Sequence, residues 1–414
     1  MATRSTPPAA DNASKYLVPF IIVTALFGIF GFLTSLNNQL VHKLEDIFKL
    51  NHFSGMLATS AWFFAYLVFS VPSAKLIEKV GYKKTMVISL FIMVAGALLF
   101  VPAANQVNFP LTLSAIFVLA TGVCALQTSA NPYVAILGPE HSASARLNLA
   151  QAFNSGASAA AGWFAGRYIL VDSSQASSAA SQAHMLEMPY IYIAGALFVL
   201  GFAVMFMHLP SIAMTQAFRP AKDGDALLDR NIWSYKHTVL GMLGIFFYVG
   251  VEIALAAIGI RFFQEQGISS LETAGILVTV YYLLIMVGRF AGSALMSVIK
   301  AEKMLMVLGA LGVVLMLVSM ATHGPIAIWS LVFCGLANSI MYPTIFTLGI
   351  AELGPLTSKG SGVITIGNVG GAIIPPLFGL LADKVGIQYA FVLPIICYIF
   401  VAYYGFSGYK PSRA

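Results

Sequence analysis

Charged residues punctuate this chain at wide intervals, and long apolar runs lie between them. Residues 16–42, 50–74, 85–139, 147–166, 188–218, 304–351, 360–382 and 385–409 contain no Asp, Glu, Lys or Arg. A transmembrane helix needs about 20 mostly apolar residues. The two longest runs therefore hold two spans each, turning at Ala103–Pro110 and at Thr322–Pro325. Two more spans, near 237–260 and 273–299, are each interrupted by one charge, Glu252 and Arg289. The pattern predicts an all-α membrane protein of twelve transmembrane helices. Barrel strands of about ten alternating residues are excluded by runs of this length.

Composition agrees with lipid as the solvent. Hydrophobic residues make up 59% of the 414 residues and charged residues only 9%, against roughly 25% charged in an ordinary soluble domain. The first residues, MATRSTPPAADNASK, are polar and rich in Pro, Ala and Ser, which predicts a disordered tail over 1–15 and not a signal peptide. With twelve spans both termini share one side. If that side is cytoplasmic, the inner segments hold sixteen Lys and Arg and the outer segments five, in line with the positive-inside rule. The net charge of +6 thus reports orientation in a cytoplasmic (inner) membrane, and no nucleic-acid partner is expected. Cys124, Cys334 and Cys397 fall within spans at unrelated spacings, so neither a disulfide framework nor a metal site is indicated.

The one long polar interior segment, 210–236, separates six spans from six and reads as a cytoplasmic linker, with a short amphipathic helix expected at 226–233. It divides the chain into a bundle over 16–209, a second over 237–409 and a short tail over 410–414. The halves look related. Pro132 in span 4 is followed by Leu137-Gly138, and Pro343 in span 10 by Leu348-Gly349 at the same offsets, a displacement of 211 that aligns Asn131 with Tyr342. Asn154-Ser-Gly156 in span 5 answers Asn368-Val-Gly370 in span 11. Helix-breaking residues at matching places in two halves point to duplication and to a path through the membrane.

Between spans 2 and 3 stands Ala74-Lys-Leu-Ile-Glu78-Lys79-Val-Gly81-Tyr-Lys83-Lys84, and Asp383-Lys384-Val-Gly386 echoes it before span 12. This order of acid, base, Gly and a basic pair resembles the loop signature of the major facilitator superfamily. Longer stretches are similar to its fucose/galactose/glucose symporter family. They include Gly31-Phe-Leu-Thr-Ser-Leu-Asn37-Asn38, Gln127-Thr-Ser-Ala-Asn131-Pro132-Tyr133, Arg146-Leu-Asn-Leu-Ala-Gln151-Ala-Phe-Asn154-Ser155, Tyr248-Val-Gly-Val-Glu252 and Tyr342-Pro-Thr-Ile-Phe-Thr-Leu-Gly349. The resemblance implies two pseudo-symmetric six-helix bundles, a hexose-type substrate, no cofactor beyond a co-transported H⁺ or Na⁺, and a monomer in membrane lipid. The proton-coupled fucose branch carries carboxylates where this chain has Asn38 and Gln127. Glutamine resembles the glucose/galactose branch; at position 38 that branch has aspartate. An amide does not titrate, so coupling through these two positions is closed to this chain.

Sugar hydroxyls donate and accept, and amides match them by doing both. Amides and hydroxyls recur on single helix faces: Asn148, Gln151 and Asn154 in span 5, Gln127 and Asn131 in span 4, Thr34 and Asn38 in span 1, and Ser361, Thr365 and Asn368 in span 11. Interhelical hydrogen bonding explains isolated cases. Four such faces favour substrate contact, foremost by Gln127, Gln151 and Asn154, with Asn38 and Asn368. Asn37, Asn131 and Asn338 are equally read as packing residues, and Asn148 as part of a closure. Among the aromatic candidates Tyr342, Trp62, Tyr281 and Trp163, the resemblance singles out Tyr342.

Glu252 is the one carboxylate flanked on both sides by long uncharged stretches inside a span, which marks it as the candidate for cation coupling. Arg289 lies about 25 Å down span 8 at 1.5 Å per residue, some 13 Å from the level of Glu252, which argues against a direct ion pair and for an interfacial, snorkelling or gating charge. Glu78 and Lys79 are read as gating charges. No nucleophile constellation, His-Glu-x-x-His or Walker loop is found, so an enzyme or an ATP-driven pump is not expected. The leading reading is a sugar symporter working by alternating access. An uncoupled facilitator is the alternative, ahead of a sensor.

Overall fold

A computed structural model describes residues 11–48, 52–168, 187–207, 209–210 and 231–411. The first ten residues of the expected tail, and residues 211–230 of the linker with most of its expected helix, lie outside them. Span 1 is Asp11–Phe48, so the helix begins inside the segment read as tail. Spans 2 and 3 share one long helix, His52–Asn105. Span 4 is Phe109–Ile136, span 5 Ala143–Tyr168 and span 6 Glu187–Phe206. Span 7 is Lys236–Glu265, span 8 Leu271–Leu295 and span 9 Ala301–Ala321. Span 10 comes in two pieces, Pro325–Asn338 and Met341–Gly349. Span 11 runs through Thr357–Ile366, a tight turn at Gly367–Val369, and Gly370–Val385. Span 12 covers Ile387–Ala390, Val392–Tyr403 and a wide turn at Tyr404–Gly408.

Ten helical stretches among the described residues are long and apolar enough to cross a membrane. One of these, Thr59–Asn105, has 47 residues, about 70 Å at 1.5 Å per residue, and so crosses twice. Span 5 is the remaining crossing. It is less apolar because it carries Asn148, Gln151, Asn154, Ser155 and Ser158. The expected twelve spans are thereby accounted for.

The two turns that share the acid-base-x-Gly signature also share a backbone. Gly81 has φ 82° and ψ 168°, and Gly386 has φ 87° and ψ 154°. Only glycine adopts this region without strain, which explains the fixed place of Gly in both motifs. Gly81 lies on the side that carries the chain ends, here termed the termini side, and Gly386 on the opposite side. On the termini side Lys359 of span 11 reaches Glu78 at 3.9 Å, and Ser358 Oγ donates to the same carboxylate at 3.4 Å. On the opposite side Arg261 pairs with Asp383 at 3.6 Å. The acid of the first motif therefore ties the two halves together, and that of the second ties span 11 to span 7.

Within each half, helices approach closely at small residues. Span 5 packs on span 1, and span 11 on span 7. A Cβ at Gly370 would overlap the Phe246 carbonyl, and one at Gly31 would overlap Asn154. The halves meet through spans 5 and 8, 2 and 11, 4 and 11, and 5 and 10. Hydrogen bonds that join them lie at mid-depth and on the termini side. Ser144 Oγ and Thr347 Oγ1 are 2.6 Å apart, Asn148 Nδ2 donates to Thr344 Oγ1 at 3.4 Å, and Ser293 Oγ donates to the Ala145 carbonyl at 2.8 Å. The structure is closed on that side. Asn148 thus stands where a closing residue was expected.

Replacing Gly370 by Ala is expected to destabilise the protein by about 1–3 kcal/mol, because backbone cannot yield to the new methyl. Gly379, where an added Cβ would meet nothing within 4 Å beyond its own helix, is the control and should tolerate Ala. Thermal unfolding of the two purified variants in detergent checks both.

Candidate functional site

Two prolines shape the middle of the molecule. Proline has no N–H, so the carbonyl four residues before it loses its helical partner. Pro132 frees the carbonyl of Thr128, which accepts Ser361 Oγ from span 11 at 2.7 Å. Pro343 frees the carbonyl of Ser339, which accepts Arg289 Nε from span 8 at 3.0 Å. Thr128 and Ser339 are 211 residues apart, the displacement already read from the sequence. The repeat thus places an unpaired carbonyl at equivalent depth in each half, and each takes a side chain from a different helix.

The aligned pair Asn131 and Tyr342 also meets in space. Asn131 Nδ2 donates to the Tyr342 hydroxyl at 3.4 Å, and Asn368 Nδ2 approaches the same oxygen at 3.5 Å. Residues related by the repeat touch one another only near the axis that relates the halves, so Tyr342 marks that axis. Its oxygen receives two amide donors, which leaves its own proton free to donate.

Around this point a cavity of about 470 Å³ lies between the halves, within the range of small-ligand sites, about 300–1,000 Å³. Gln127, Gln151, Asn154, Tyr342, Asn368, Glu252 and Arg289 all line it. Seven of the residues singled out from the sequence are therefore neighbours of one space. Span 1 contributes Thr34, one turn before Asn38, whose own side chain lies outside the described residues. Glu78 and Lys79 lie on the termini face, away from the cavity.

The amides are unequally committed. Asn154 Nδ2 donates to the Phe27 carbonyl at 3.0 Å, so part of its capacity holds span 5 on span 1. Gln151 is buried, and its side chain makes no hydrogen bond among the described residues. Gln127 Oε1 is buried without a partner among the described residues, as is Trp62 Nε1 on the same cavity wall. Unpaired buried polar atoms cost about 1–3 kcal/mol each, and a polar ligand in the cavity supplies the missing partners. Asn338 serves packing: its Nδ2 donates to Tyr281 Oη at 2.7 Å and its Oδ1 accepts from Tyr398 Oη at 2.9 Å.

Arg289 stands elsewhere than an interfacial or snorkelling residue would. Only 5% of it is exposed, and it donates to the carbonyl of Gln151 at 3.1 Å, to Ser155 Oγ at 2.5 Å and to Tyr248 Oη at 3.4 Å, besides Ser339. Span 8 continues to Leu295, about 9 Å beyond Arg289, which leaves the guanidinium inside the membrane. The expected absence of a direct pair with Glu252 holds. Ion pairs between described residues include Arg261–Glu265, Arg261–Asp383 and Lys359–Glu78, and none joins Arg289 to Glu252.

Residues that the sequence reading passed over also line the space: Phe30, Phe63, Tyr66, Ser155, Ser158 and Tyr282. Trp62 and Tyr66 lie four apart on one face of span 2, a spacing that marks a common surface. Tyr281 is buried in the Asn338 cluster, and Trp163 is 71% exposed, away from the cavity lining.

The two span 5 amides should separate on a stability assay. Asn154→Ala loses the bond to Phe27 and is expected to lower stability by about 1–2 kcal/mol. Gln151→Ala, with no such bond, should stay within about 0.5 kcal/mol of the parent. Thermal unfolding in the absence of ligand reads the difference.

Comparison with known proteins agrees with this architecture. The Major Facilitator Superfamily model matches residues 17–367. The glucose/galactose transporter of Brucella abortus is 39% identical over 403 residues, covering 97% of this chain and 96% of that protein. The L-fucose-proton symporter of Escherichia coli is 31% identical over 434 residues, covering 99% and 97%. A crystal structure of FucP, a superfamily transporter in the outward conformation, superimposes with a TM-score of 0.83 at 30% identity, covering 96% of this chain and all of that one. The chain belongs to the Major Facilitator Superfamily, among its fucose, glucose and galactose transporters.

Proposed function

We propose that this protein is a secondary active transporter that carries a neutral hexose across the cytoplasmic membrane together with a proton. One observation carries the reading. A cavity lined by amides and hydroxyls of both halves lies at mid-depth, sealed on the termini side by hydrogen bonds between the halves. A sugar needs partners that donate and accept on several sides at once, and Gln127, Gln151, Asn154, Asn368 and Tyr342, with Asn38 on span 1, offer them. The names of the relatives support the same substrate class and the proton.

Rocking of the two halves against one another around this central site opens the cavity alternately to either side. The sixteen-to-five bias of Lys and Arg supports placing the termini in the cytoplasm, so the structure corresponds to a form closed to the cytoplasm. Glu78, paired with Lys359 across the halves, and Lys79 beside it act in the inner gate. The protein works as a monomer in lipid, since each half supplies part of the site within one chain.

Glu252 is the coupling carboxylate. It lines the cavity, half-buried, in a helix whose neighbouring residues are uncharged. With Asn38 and Gln127 unable to titrate, it is the acid left in the cavity wall among the described residues. Those two amides also favour a second reading, an uncoupled facilitator. Uptake into proteoliposomes separates the two. The symporter reading expects a panel of labelled hexoses to include one that accumulates under an imposed proton gradient. Glu252→Gln should abolish that accumulation and preserve exchange of sugar between equal compartments. Full accumulation by the Gln variant would place coupling elsewhere, and failure of every sugar to bind or move would reject the substrate class. Gln151→Ala should weaken sugar binding by about 1–3 kcal/mol while unfolding at the parent temperature.

A further inference from the structure

On the lipid side of the contact between spans 5 and 8 the surface carries a groove of about 680 Å³. Span 1 from Leu17 to Gly28 and span 5 from Leu149 to Ala157 form its first-half walls, and Met286 and Phe290 of span 8 close it from the second half. Thr24 is the one polar side chain among the lining residues, and its Oγ1 is itself buried. An occupant therefore finds no side-chain hydrogen-bond partner there. Gly28 and Gly156 are not set for close helix approach, unlike Gly31 and Gly370. A Cβ at Gly28 would come only to 3.6 Å of Ala157, and one at Gly156 to 3.8 Å of Met286. The room these glycines leave belongs to the groove.

Dimensions narrow the choice of occupant. Leu17 and Gly28 are 11 residues apart, about 16 Å along the helix axis. One leaflet of a hydrocarbon core about 30 Å thick has the same depth. Span 1 enters from the termini side, so Leu17 lies near that membrane face and Gly28 near mid-depth. Length, depth and apolar lining together fit one acyl chain of a phospholipid in the termini-side leaflet. A peptide would bring backbone polar groups that this groove cannot receive.

The groove also borders the contacts that close the structure. Arg289, next to Phe290, donates to Ser155 Oγ and to the Gln151 carbonyl, and Ser293 Oγ donates to the Ala145 carbonyl at 2.8 Å. Phe153 and Phe290 meet edge to face across the halves, with ring centroids 5.8 Å apart.

We infer that this groove is a lipid site, in which one phospholipid acyl chain packs against both halves and favours the form closed on the termini side. The inference is independent of which solute is carried and of its coupling. In bulk lipid the chain already has apolar neighbours, so its gain in the groove is dispersion contact with walls on several sides. Opening on the termini side draws span 8 away from span 5 and removes the Met286 and Phe290 wall. The chain then keeps only spans 1 and 5. A ligand shifts an equilibrium by its difference in affinity between the two states, and the second-half wall supplies that difference.

The probe is a phosphatidylcholine with a photoactivatable diazirine near the end of one acyl chain, added to the full-length protein in lipid nanodiscs. Mass spectrometry should find adducts at Gly156, Ala157 and Met286 several-fold denser than at Val314 and Ile396, each 54% exposed on spans 9 and 12. Ala25 is an exposed lining residue, and Ala25→Trp should fill the groove and remove most of these adducts. Ala25→Leu, a smaller filler, keeps the question answerable if the Trp variant does not fold, and should lower them in part. Spin labels on cysteines at positions 84 and 303, exposed lysines on the termini face of different halves, report the closure, since the native cysteines are buried. Ala25→Asn, which sets an amide in the groove, should lose the adducts and raise the open-to-closed ratio about fivefold or more, the lower end of ordinary coupling between sites. Val18→Asn, exposed on the same helix but outside the groove, should change neither. Adducts spread evenly over the lipid-facing spans, adducts that persist in Ala25→Trp and Ala25→Leu, or a ratio in Ala25→Asn no different from that in Val18→Asn overturn the inference. So does a disulfide-linked dimer through Ile21→Cys, which would assign the groove to a second copy of the chain.

Discussion

A backbone carbonyl without a partner cannot be left in hydrocarbon, and the centre of this protein is organised around two of them. Pro132 and Pro343 each withdraw one N–H from a membrane helix. The freed oxygens of Thr128 and Ser339 then bind Ser361 and Arg289. The first bond holds span 4 of one half to span 11 of the other. The second seats the guanidinium that also reaches span 5. Where two apolar bundles have little hydrophobic reason to associate in lipid, these polar contacts fix where they touch. They also leave the region above them as a cavity.

Duplication accounts for much of what surrounds those contacts. Asn131 and Tyr342 occupy equivalent places in the two halves and meet at the axis between them. The site is not symmetric in chemistry, however. The first half brings Gln127, Gln151 and Asn154, and the second brings Glu252, Arg289 and the aromatic hydroxyls of Tyr248 and Tyr342. Amides stand on both walls, Asn368 coming from the second half, and the carboxylate Glu252 and the guanidinium of Arg289 stand on the second alone.

Legibility in the sequence followed the physics of each feature. Spans were legible because charge is excluded from lipid, and the halves because helix breakers recur at one displacement. Candidate amides were legible because i, i+3 and i+4 spacing puts residues on one face, and the cavity gathered Gln127, Gln151, Asn154 and Asn368. The interfacial and snorkelling readings of Arg289 did not anticipate its burial between the halves, because counting residues from a helix end gives depth and no azimuth; which neighbour a side chain meets depends on packing between halves. Tyr66, Ser155 and Tyr282 escaped for the same reason, since a serine or tyrosine in an apolar helix carries no mark of the direction it faces. Commitment of Asn154 to the Phe27 carbonyl is likewise a fact of tertiary contact.

Coupled movement of sugar and proton through one cavity is the claim on which this account stands. It is tested most directly by adding sugar to de-energised, weakly buffered cells or vesicles containing the protein and recording external pH. The account predicts that at least one hexose makes the medium alkaline, with the signal lost when a protonophore is present. Rapid sugar entry with no change in external pH would contradict it.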